Sequence, residues 1–352
     1  MEPWFTKQLT AWYNINKRDL PWRNQTNAYY IWLSEIILQQ TQVAQGLNYY
    51  LKFIKNYPTV KHLANATEDE ILKDWQGLGY YSRARNLHAA AKSIVQNNNG
   101  IFPTNYTDIK NLKGVGDYTA AAVASFAYNL PYAVVDGNVY RILSRLFGVE
   151  TAIDSRQGKK QFQQLANELL DKKNAATHNQ AIMEFGSQYC KPVNPNCTNC
   201  IFNKKCFAFA NNLVSVLPVK EKKTKIKNRY FNYLIIIDKN KNVLINKRSG
   251  NDIWKGLYEF YLIETEKQTL ELAILKQVQL LKICTLNFTV KHSSIEYKHI
   301  LSHQHLYAKF YVLTLNSSHK KTSSVCSINS LKKLAFPRLI DKFLNNCSLD
   351  II

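Results

Sequence analysis

The chain has few of the residues that mark extended or irregular structure, and too few acids to balance its bases. Only 12 of its 352 residues are glycine and 9 are proline, which excludes collagen-like and low-complexity architectures. Acidic residues number 25 against 46 lysines and arginines, so the formal net charge is +21. Such an excess favours a polyanionic partner, either nucleic acid or an anionic membrane surface.

Long hydrophobic runs are also scarce. The longest uncharged stretch, residues 118–135, contains Ser125, Asn129 and Pro131 and reaches only the lower length limit for a spanning helix. Its alanine content predicts a buried helix followed by a loop. The first thirteen residues mix charge with aromatic side chains and lack the basic-then-apolar pattern of an export signal. We therefore expect nucleic acid as the partner, no membrane, and a cytoplasmic location.

The chain changes character after Cys206. Residues 1–189 repeat apolar side chains at helical spacing, and no regular strand pattern alternates with them. Residues 220–229 hold six bases and one acid, as an exposed linker does. Runs of β-branched and aromatic residues follow. The pattern predicts an all-α domain at 1–210, a basic linker at 211–229 and an α+β domain at 230–352.

Individual elements are predicted where the periodicity is strongest. The predicted helices are Ile31–Val43, Ser82–Gln96, Tyr118–Tyr128, Asn138–Phe147, His178–Tyr189 and Glu266–Leu281, with a shorter one after Phe336. The predicted strands are Tyr230–Ile237, Val243–Lys247, Leu257–Ile263, Leu286–Val290 and Leu306–Leu315. Together they describe a helical part followed by a separate mixed part.

Four of the seven cysteines form a compact group directly after a predicted helix, with the spacing C-x6-C-x2-C-x5-C. They are Cys190, Cys197, Cys200 and Cys206. An odd cysteine count with one tight cluster argues against a disulfide framework. Four thiolates suit zinc or a [4Fe–4S] cluster, but zinc ligands usually come as two close pairs, which this spacing lacks. We interpret the remaining three as buried apolar side chains: Cys284, Cys326 and Cys347.

A Gly-x-Gly turn at Gly114 and Gly116 joins two helical segments. Glycines let the backbone approach a ligand closely, and the following helix offers free N–H groups, so a phosphate is a natural ligand. A plain helix–helix corner uses the same turn. Asp136 lies twenty residues further on and has two compatible roles. It can cap the helix beginning at Asn138, and it can place a carboxylate in the same groove as the hairpin.

Hairpin, aspartate and four-cysteine loop, in this order, resemble the endonuclease III superfamily of DNA glycosylases over about residues 1–210. This resemblance implies a helix-hairpin-helix fold and a [4Fe–4S] cluster on the four cysteines. Lyase members of the superfamily use a lysine of the hairpin as an amine nucleophile. The matching position here is Tyr118, and a phenol cannot form a Schiff base.

Longer strings resemble the adenine glycosylases of the MutY type, which remove adenine mispaired with 8-oxoguanine. They are LPWR at 20–23, WLSEIILQQTQ at 32–42, GLGYYSRARNL at 77–87 and DGNV at 136–139. Glu35 is a lone acid in an otherwise uncharged helix, and partial desolvation would raise its pKa into the range of a general acid. The alternative is a glutamate that faces water or pairs with an arginine.

The resemblance implies a role for each matched residue. Glu35 would protonate adenine at N7, Asp136 would stabilise the oxocarbenium-like sugar, and Tyr118 and Asn138 would orient those groups and the water. Gln40, Thr41 and Tyr80 would enter the duplex near the lesion. The implied DNA- and lesion-binding set is Trp22, Arg23, Gln40, Thr41, Leu78, Tyr80, Gly114, Gly116, Ser302 and His303.

The C-terminal part resembles the MutT-like domain of the same enzymes, chiefly at Lys247, Arg248 and residues 253–260. The paired glutamates of the metal-binding Nudix pattern are missing, so hydrolysis of nucleotide diphosphates is not expected. Residues 301–303 match the Phe-Ser-His loop that reads 8-oxoguanine, with leucine in place of phenylalanine. The resemblance therefore implies that Ser302 and His303 contact the oxidised base.

The expected protein is multidomain: an all-α helix-hairpin-helix glycosylase domain with an iron–sulfur cluster loop, followed by an α+β MutT-like domain. We expect a monomeric, monofunctional adenine glycosylase, bacterial and nucleoid-associated, that acts on duplex DNA containing A:8-oxoguanine or A:G mispairs. One alternative is a pyrimidine-lesion glycosylase/lyase, which needs the lysine that Tyr118 displaces. Another is a non-catalytic iron–sulfur DNA-binding protein, in which Glu35 or Asp136 should have been replaced.

Overall fold

A computed structural model describes residues 3–221, 225–280, 288–318 and 324–347. The chain divides into two compact units. The first unit comprises Met1–Asn65 and Asn86–Lys223, and the second comprises Ala66–Arg85 and Thr224–Ile352. Residues 66–85 therefore group with the C-terminal part of the chain, a long-range association that local periodicity does not reveal.

Helices fill the described chain up to residue 210, and strands begin at residue 227. The helices are α1 (Pro3–Asn16), α2 (Ala28–Ile37), α3 (Val43–Asn56), α4 (Val60–Asn65), α5 (Glu68–Asp74), α6 (Ser82–Asn98), α7 (Tyr106–Asn111), α8 (Asp117–Tyr128), α9 (Gly137–Phe147), α10 (Arg156–Leu169), α11 (Ala175–Gln188), α12 (Phe207–Ala210), α13 (Glu271–Leu280) and α14 (Arg338–Asn346). The strands are β1 (Lys227–Ile237), β2 (Asn242–Leu244), β3 (Asn246–Lys247), β4 (Tyr258–Glu259), β5 (Tyr261–Thr265), β6 (Phe288–Ser293), β7 (Tyr297–Ile300), β8 (Gln304–Leu315) and β9 (Val325–Ser327). The predicted fold class, helical and then α+β, is confirmed.

One predicted helix, Ile31–Val43, is wrong at its C-terminal end. α2 ends at Ile37, Gln40 adopts a left-handed backbone conformation with φ of 53°, and α3 begins at Val43. Gly46 of α3 packs closely on this turn, since a Cβ there would lie 2.6 Å from Leu38 Cδ2. The break places Gln40 on the surface in a tight turn.

The core of the first unit is built from α1, α9, α10 and α11. Aromatic rings fill its centre: the ring of Phe202 lies 5.4 Å from that of Phe5 and 5.2 Å from that of Phe185. A second layer forms where α2 packs on α8, whose alanines at 120–122 and 124 are buried. Small side chains let the two helices approach closely. Within the described residues, no helix combines the length and hydropathy needed to cross a membrane.

The second unit contains a mixed sheet of seven strands among the described residues, in the order β6-β8-β1-β2-β9, with β5 on β1 and β7 on β8. β1 and β8 pair in parallel from Lys227 opposite Gln304 to Ile237 opposite Thr314, and the other pairs are antiparallel. Because β1 is central, residues 231–237 are all buried, as expected for a strand covered on both faces.

Helices cover both faces of this sheet. Leu234 and Ile236 of β1 pack with Ile274 and Val278 of α13. On the other face the ring of Phe343 in α14 stacks on Phe310 with a centroid separation of 4.1 Å. Alternate residues of β1 thus enter two different cores.

Smaller predictions need correction. α13 begins at Glu271 rather than Glu266, after a turn in which the Thr265 hydroxyl donates to the Lys267 carbonyl at 2.8 Å. Cys326 and Cys347 are half-buried rather than buried, because strand β9 and the end of α14 lie near the surface. Residues 222–224 and 281–287, which include Cys284, the last residue of one predicted helix and the start of one predicted strand, lie outside the described residues.

A buried histidine makes the stability of the first unit depend on pH. His178 of α11 is 4% exposed, its ring centroid lies 6.0 Å from that of Phe5, and burial lowers its pKa to about 4. The unfolded chain therefore takes up a proton between about pH 6.5 and pH 4 that the folded chain refuses. The stability that neutral His178 contributes is complete above pH 6.5 and is lost as the pH falls.

We predict that His178→Phe will flatten this dependence. Between pH 7 and pH 5 the wild-type free energy of unfolding should fall by about 1–2 kcal/mol more than that of the variant. Urea denaturation of both proteins at the two pH values measures the difference. An identical pH response in the two proteins would contradict the account, because other titrating groups are common to both.

Candidate active site

The first unit contains a cavity of about 200 Å³ among α2, α8, α9, α11 and the segment before α2. Several predicted site residues line it: Trp22, Arg23, Glu35, Thr41, Tyr118, Asp136 and Asn138. Apolar neighbours such as Ile31, Leu38 and Met183 complete the wall. The cavity therefore combines a few polar groups with an apolar surround, as small-molecule and base-binding sites do.

Glu35 lies on α2 and is 7% exposed. α2 begins after Asn27, whose side chain accepts from the backbone N–H groups of Tyr29 and Tyr30. The Tyr118 hydroxyl donates to Glu35 Oε2 at 2.8 Å. Burial raises the pKa of Glu35 to about 7, with Asp136 contributing in the same direction, against the hydrogen bond from Tyr118 and the charge of Arg23. Glu35 is therefore a carboxyl group that can hold a proton near neutral pH.

Asp136 is the N-cap of α9, as predicted. Its Oδ1 accepts from the backbone N–H groups of Asn138 and Val139, each at 2.8 Å, and its Oδ2 accepts from Asn138 Nδ2 at 2.7 Å. Burial raises the pKa of Asp136, while these three donors and the charge of Arg141 oppose the rise. Three N–H donors stabilise the ionised form, so the two carboxyl groups of the cavity occupy different electrostatic environments.

Asn138 connects Asp136 to the cysteine loop through the guanidinium of Arg141. Its Oδ1 accepts from Arg141 NH2 at 2.8 Å. The same guanidinium donates to the Gly186 carbonyl at 2.7 Å and, through Nε, to the Cys190 carbonyl at 2.7 Å. Arg141 is buried, and burial lowers its pKa. A continuous hydrogen-bonded path thus joins Asp136 to the backbone of the first loop cysteine.

Sequence reasoning missed Glu184, a cavity residue of α11. Its side chain is fully buried and bonded to Arg18 at 2.6 Å and to Arg23. Although burial alone would raise the pKa of Glu184, the hydrogen bonds from Arg18 and Arg23 lower it to about 2. The signal was present, since Glu184 is the lone acid of α11, just as Glu35 is of α2. Arg23 is held by this acid as well as facing the cavity.

The four clustered cysteines line one small cavity after α11, together with Arg145 and Tyr189. Arg145 is buried and donates to the Lys191 carbonyl at 2.7 Å, with its NH1 3.6 Å from Cys190 Sγ. Burial raises the pKa of Cys197, Cys200 and Cys206, that of Cys200 to about 12. Among the described residues, no group of three or more His, Cys, Asp and Glu side chains forms a site for a single metal ion.

Glycine is required at one hairpin position for its backbone conformation and leaves open space at the other. Gly114 has φ of +81°, and a Cβ there would lie 2.6 Å from Asn86 Cβ, so the turn requires glycine on both counts. Gly116 is the N-cap of α8, with an extended backbone and open space where a Cβ would project. Space beside a helix N-terminus is compatible with a bound phosphate.

The second unit has its own cavity, of about 310 Å³. Its walls come from residues 78–82, 252–254 and 300–303, and include Leu78, Tyr80, Ser302 and His303. The hydroxyl of Tyr80 lies 3.0 Å from Ser302 Oγ. The structure thus brings together two pairs of predicted lesion-binding residues, Leu78 with Tyr80 and Ser302 with His303, and the two pairs lie more than two hundred positions apart in the sequence.

Neighbouring polar groups favour one tautomer of the His303 ring. Arg229 donates to Gln304 Oε1 at 3.2 Å, so the amide nitrogen of Gln304 faces His303 Nε2 at 2.8 Å. An amide nitrogen only donates. The proton of neutral His303 therefore lies on Nδ1, which points toward Ser302 Oγ at 3.5 Å.

Comparison with known proteins agrees with this architecture. Residues 33–171 match the HhH-GPD superfamily of base excision DNA repair proteins, and residues 232–346 match the NUDIX domain. The adenine DNA glycosylase of Buchnera aphidicola subsp. Acyrthosiphon pisum is 30% identical to this chain, over 99% of this chain and 98% of its own length.

Two solved structures share the fold of the helical part. A thermostable thymine-DNA glycosylase is 30% identical with a TM-score of 0.55, over 59% of this chain and 95% of its own. An endonuclease III trapped as a DNA covalent intermediate is 20% identical with a TM-score of 0.52, over 59% and 95% respectively. The helical unit thus has the endonuclease III fold, and a NUDIX domain follows it. The chain belongs to the adenine DNA glycosylase family of base-excision repair enzymes.

Proposed function

We propose that this chain is a monofunctional glycosylase that hydrolyses the N-glycosidic bond of adenine paired with 8-oxoguanine or guanine in duplex DNA. The observation that carries the proposal is the pair of carboxyl groups, buried Glu35 and half-buried Asp136, on one cavity of about 200 Å³. Their environments differ, and pairs of acids held in different protonation states are what acid-assisted glycoside cleavage requires. Base flipping would bring adenine into the cavity.

Glu35 is the proposed general acid. A carboxyl group with a pKa of about 7 retains a substantial protonated fraction at neutral pH and still releases its proton readily. Proton transfer to N7 would neutralise the departing adenine. The Tyr118 hydroxyl bond to Oε2 fixes the carboxyl plane and leaves Oε1 as the oxygen that can carry the proton toward the base.

Asp136 is the proposed stabiliser of the positive sugar. Three N–H donors favour its ionised form, and a fixed anion in a desolvated cavity interacts strongly with developing positive charge. Asn138 contributes one of those donors through its side chain and is held in turn by Arg141. General acid catalysis supplies only about 10²–10⁴-fold, so this electrostatic contribution is needed as well.

Tyr118 argues for hydrolysis without lyase chemistry. The lyase alternative needs an amine at this position, whereas the phenol here is engaged with Glu35. Burial raises the pKa of the Tyr118 hydroxyl well above its ordinary value, so the group stays neutral and donates. Tyr118 would therefore orient the acid, and water would take the place of a protein nucleophile.

The second cavity is the proposed reader of the opposite base. 8-Oxoguanine differs from guanine by an added O8 and by N7, which becomes a donor, so polar groups at that edge can separate the two bases. Ser302 and His303 supply such groups, and Tyr80 is the proposed wedge in the duplex, with Gln40 and Thr41. Gly114, Gly116 and the net charge of +21 would hold the phosphates without reading sequence.

The proposed cofactor is a [4Fe–4S] cluster on Cys190, Cys197, Cys200 and Cys206. Four thiols line one cavity beside the buried guanidinium of Arg145, which suits an anionic thiolate cluster. Once bound, the cluster would cross-link the loop and replace the protons of thiols whose burial disfavours ionisation. We further propose a monomer in the bacterial cytoplasm, associated with the nucleoid.

The acid role predicts the behaviour of Glu35→Gln. The variant should bind A:8-oxoguanine duplexes but release adenine at least ~100-fold more slowly in single turnover, because an amide cannot deliver the proton. Wild-type rates should rise as the pH falls through about 7, where Glu35 gains its proton. Glu168→Gln, an exposed change on α10, is the matched control. Retention of more than about a tenth of the rate by Glu35→Gln would remove it from this role.

The monofunctional proposal predicts the behaviour of Tyr118→Lys. This change restores an amine beside both carboxyl groups, so borohydride should trap a covalent protein–DNA adduct. Wild type and Tyr118→Phe should give little adduct under the same conditions. Equal trapping by wild type and Tyr118→Lys would show that an amine elsewhere attacks the sugar and that lyase activity is native.

The cofactor proposal predicts about four irons and four sulfides per chain in protein purified without oxygen. Serine at any of the four loop cysteines should reduce this content, whereas Cys326→Ser should not. Stoichiometric zinc in place of iron and sulfide would refute the assignment. Metal analysis and acid-labile sulfide measurement distinguish the results.

A further inference from the structure

The turn before α6 holds three residues of the second unit in a left-handed backbone conformation. The φ angles are 97° at Gly77, 77° at Gly79 and 47° at Tyr80. Glycine adopts such angles freely, but a tyrosine does so at a cost and only where its surroundings enforce it. Tyr80 is nevertheless 46% exposed, so the enforcement comes from the backbone and from one side of the ring.

Two buried side chains supply that enforcement at the Gly79 carbonyl. Trp75 Nε1 donates to it at 3.0 Å, and Arg83 NH2 donates to it at 3.2 Å. Arg83 NH2 also reaches the Leu78 carbonyl at 3.4 Å. The carbonyl directly before Tyr80 is thus held from two directions, which fixes the peptide plane that sets the φ of Tyr80.

The guanidinium of Arg83 also contacts both aromatic rings. Its Cζ lies 5.1 Å from the Trp75 ring centroid and 5.8 Å from the Tyr80 ring centroid. Cations within about 6 Å of an aromatic face are attracted to it, more strongly when they are desolvated. Arg83 is 8% exposed, and burial lowers its pKa to about 10, so it remains charged at neutral pH.

Local helix energetics alone do not favour an arginine here. Arg83 is the second residue of α6, where the positive end of the helix disfavours a cation. Nor does Arg83 line the second cavity, whereas Tyr80 does. The Arg83 side chain contacts the turn and the Tyr80 ring, and it does not line the cavity.

We infer that Arg83, assisted by Trp75, is a positioning residue that presets the Tyr80 ring for recognition of the lesion-containing duplex. The inference rests on the proposed function, in which Tyr80 is the wedge. Ordering the ring before DNA arrives removes an entropy cost from binding. Arg83 therefore acts through Tyr80 and does not itself contact a base or a phosphate.

The test compares two affinities for each variant. One duplex contains 8-oxoguanine opposite a non-hydrolysable 2′-fluoro analogue of deoxyadenosine, and the other is fully paired. Tyr80→Ala should weaken binding to the lesion duplex roughly tenfold or more, the scale of one lost stacking contact. Arg83→Gln should do the same, while binding to the paired duplex changes less than about threefold, since no phosphate contact is lost. Arg156→Gln, an exposed arginine of α10, controls for the loss of one positive charge.

Coupling to Tyr80 is the decisive readout. The double variant Arg83→Gln/Tyr80→Ala should bind the lesion duplex no more weakly than Tyr80→Ala alone, because the two changes remove one function. Arg83→Lys should rescue part of the loss, since an ammonium can keep one carbonyl contact and the ring contact. Trp75→Phe, which deletes one donor, should cost several-fold. These last two variants carry the test if thermal denaturation shows that Arg83→Gln is unfolded.

Several results would overturn the inference. Equal weakening of both duplexes would make Arg83 a phosphate contact, and additive losses in the double variant would make it independent of Tyr80. If Tyr80→Ala weakens lesion binding but the Arg83 and Trp75 variants do not, the positioning role fails and the proposed function stands. If Tyr80→Ala itself has no effect, the proposed wedge fails and the inference falls with it.

Discussion

The burial of the Glu35 carboxyl beside Asp136 is the constraint on which the rest of the site depends. Two acids in one desolvated cavity cannot both ionise cheaply. Unequal hydrogen bonding helps to separate the pKa values of the two acids. Asp136 accepts hydrogen bonds from three N–H groups, whereas Glu35 accepts one, from the Tyr118 hydroxyl. Burial raises the pKa of Glu35 to about 7, so Glu35 is the acid of the pair that can hold a proton near neutral pH. This arrangement requires Tyr118 to stay neutral and Asn138 to stay in place. Burial raises the pKa of the Tyr118 hydroxyl well above its ordinary value, and Arg141 holds the Asn138 side chain.

Buried and half-buried arginines hold the side chains and loops around the cavity in place. Arg141 anchors Asn138 and reaches the Cys190 carbonyl, while Arg145 crosses the cysteine loop. Glu184 holds Arg18 and Arg23 at the cavity wall. Buried charges of this kind destabilise a protein when one partner is removed. The hydrogen bonds of Arg141 therefore link the position of Asp136 to that of the cysteine loop, although the two lie in different elements.

The sequence was most informative where local chemistry decides structure. The four-cysteine spacing, the N-cap role of Asp136 and the change from helices to strands near residue 227 are all local features. Glu184 has the same lone-acid signature as Glu35, but it lies outside the strings that resemble the family and was overlooked. The turn at Gln40 has no local signal, because residues 31–43 keep the apolar spacing of a helix and contain no glycine or proline. The association of residues 66–85 with the second unit, and the left-handed Tyr80, depend on contacts distant in sequence and have no local signature.

The most direct test of this account is a measurement of the Glu35 pKa in the folded protein. Carbon-13 labelling of glutamate carboxyl groups, with Glu35→Gln to assign the resonance, gives a titration curve for this one side chain. The account predicts a midpoint near 7, which moves down when Asp136→Asn removes the neighbouring charge. A midpoint near the ordinary value of 4.5 would mean that Glu35 is ionised at neutral pH and would contradict its role as the acid.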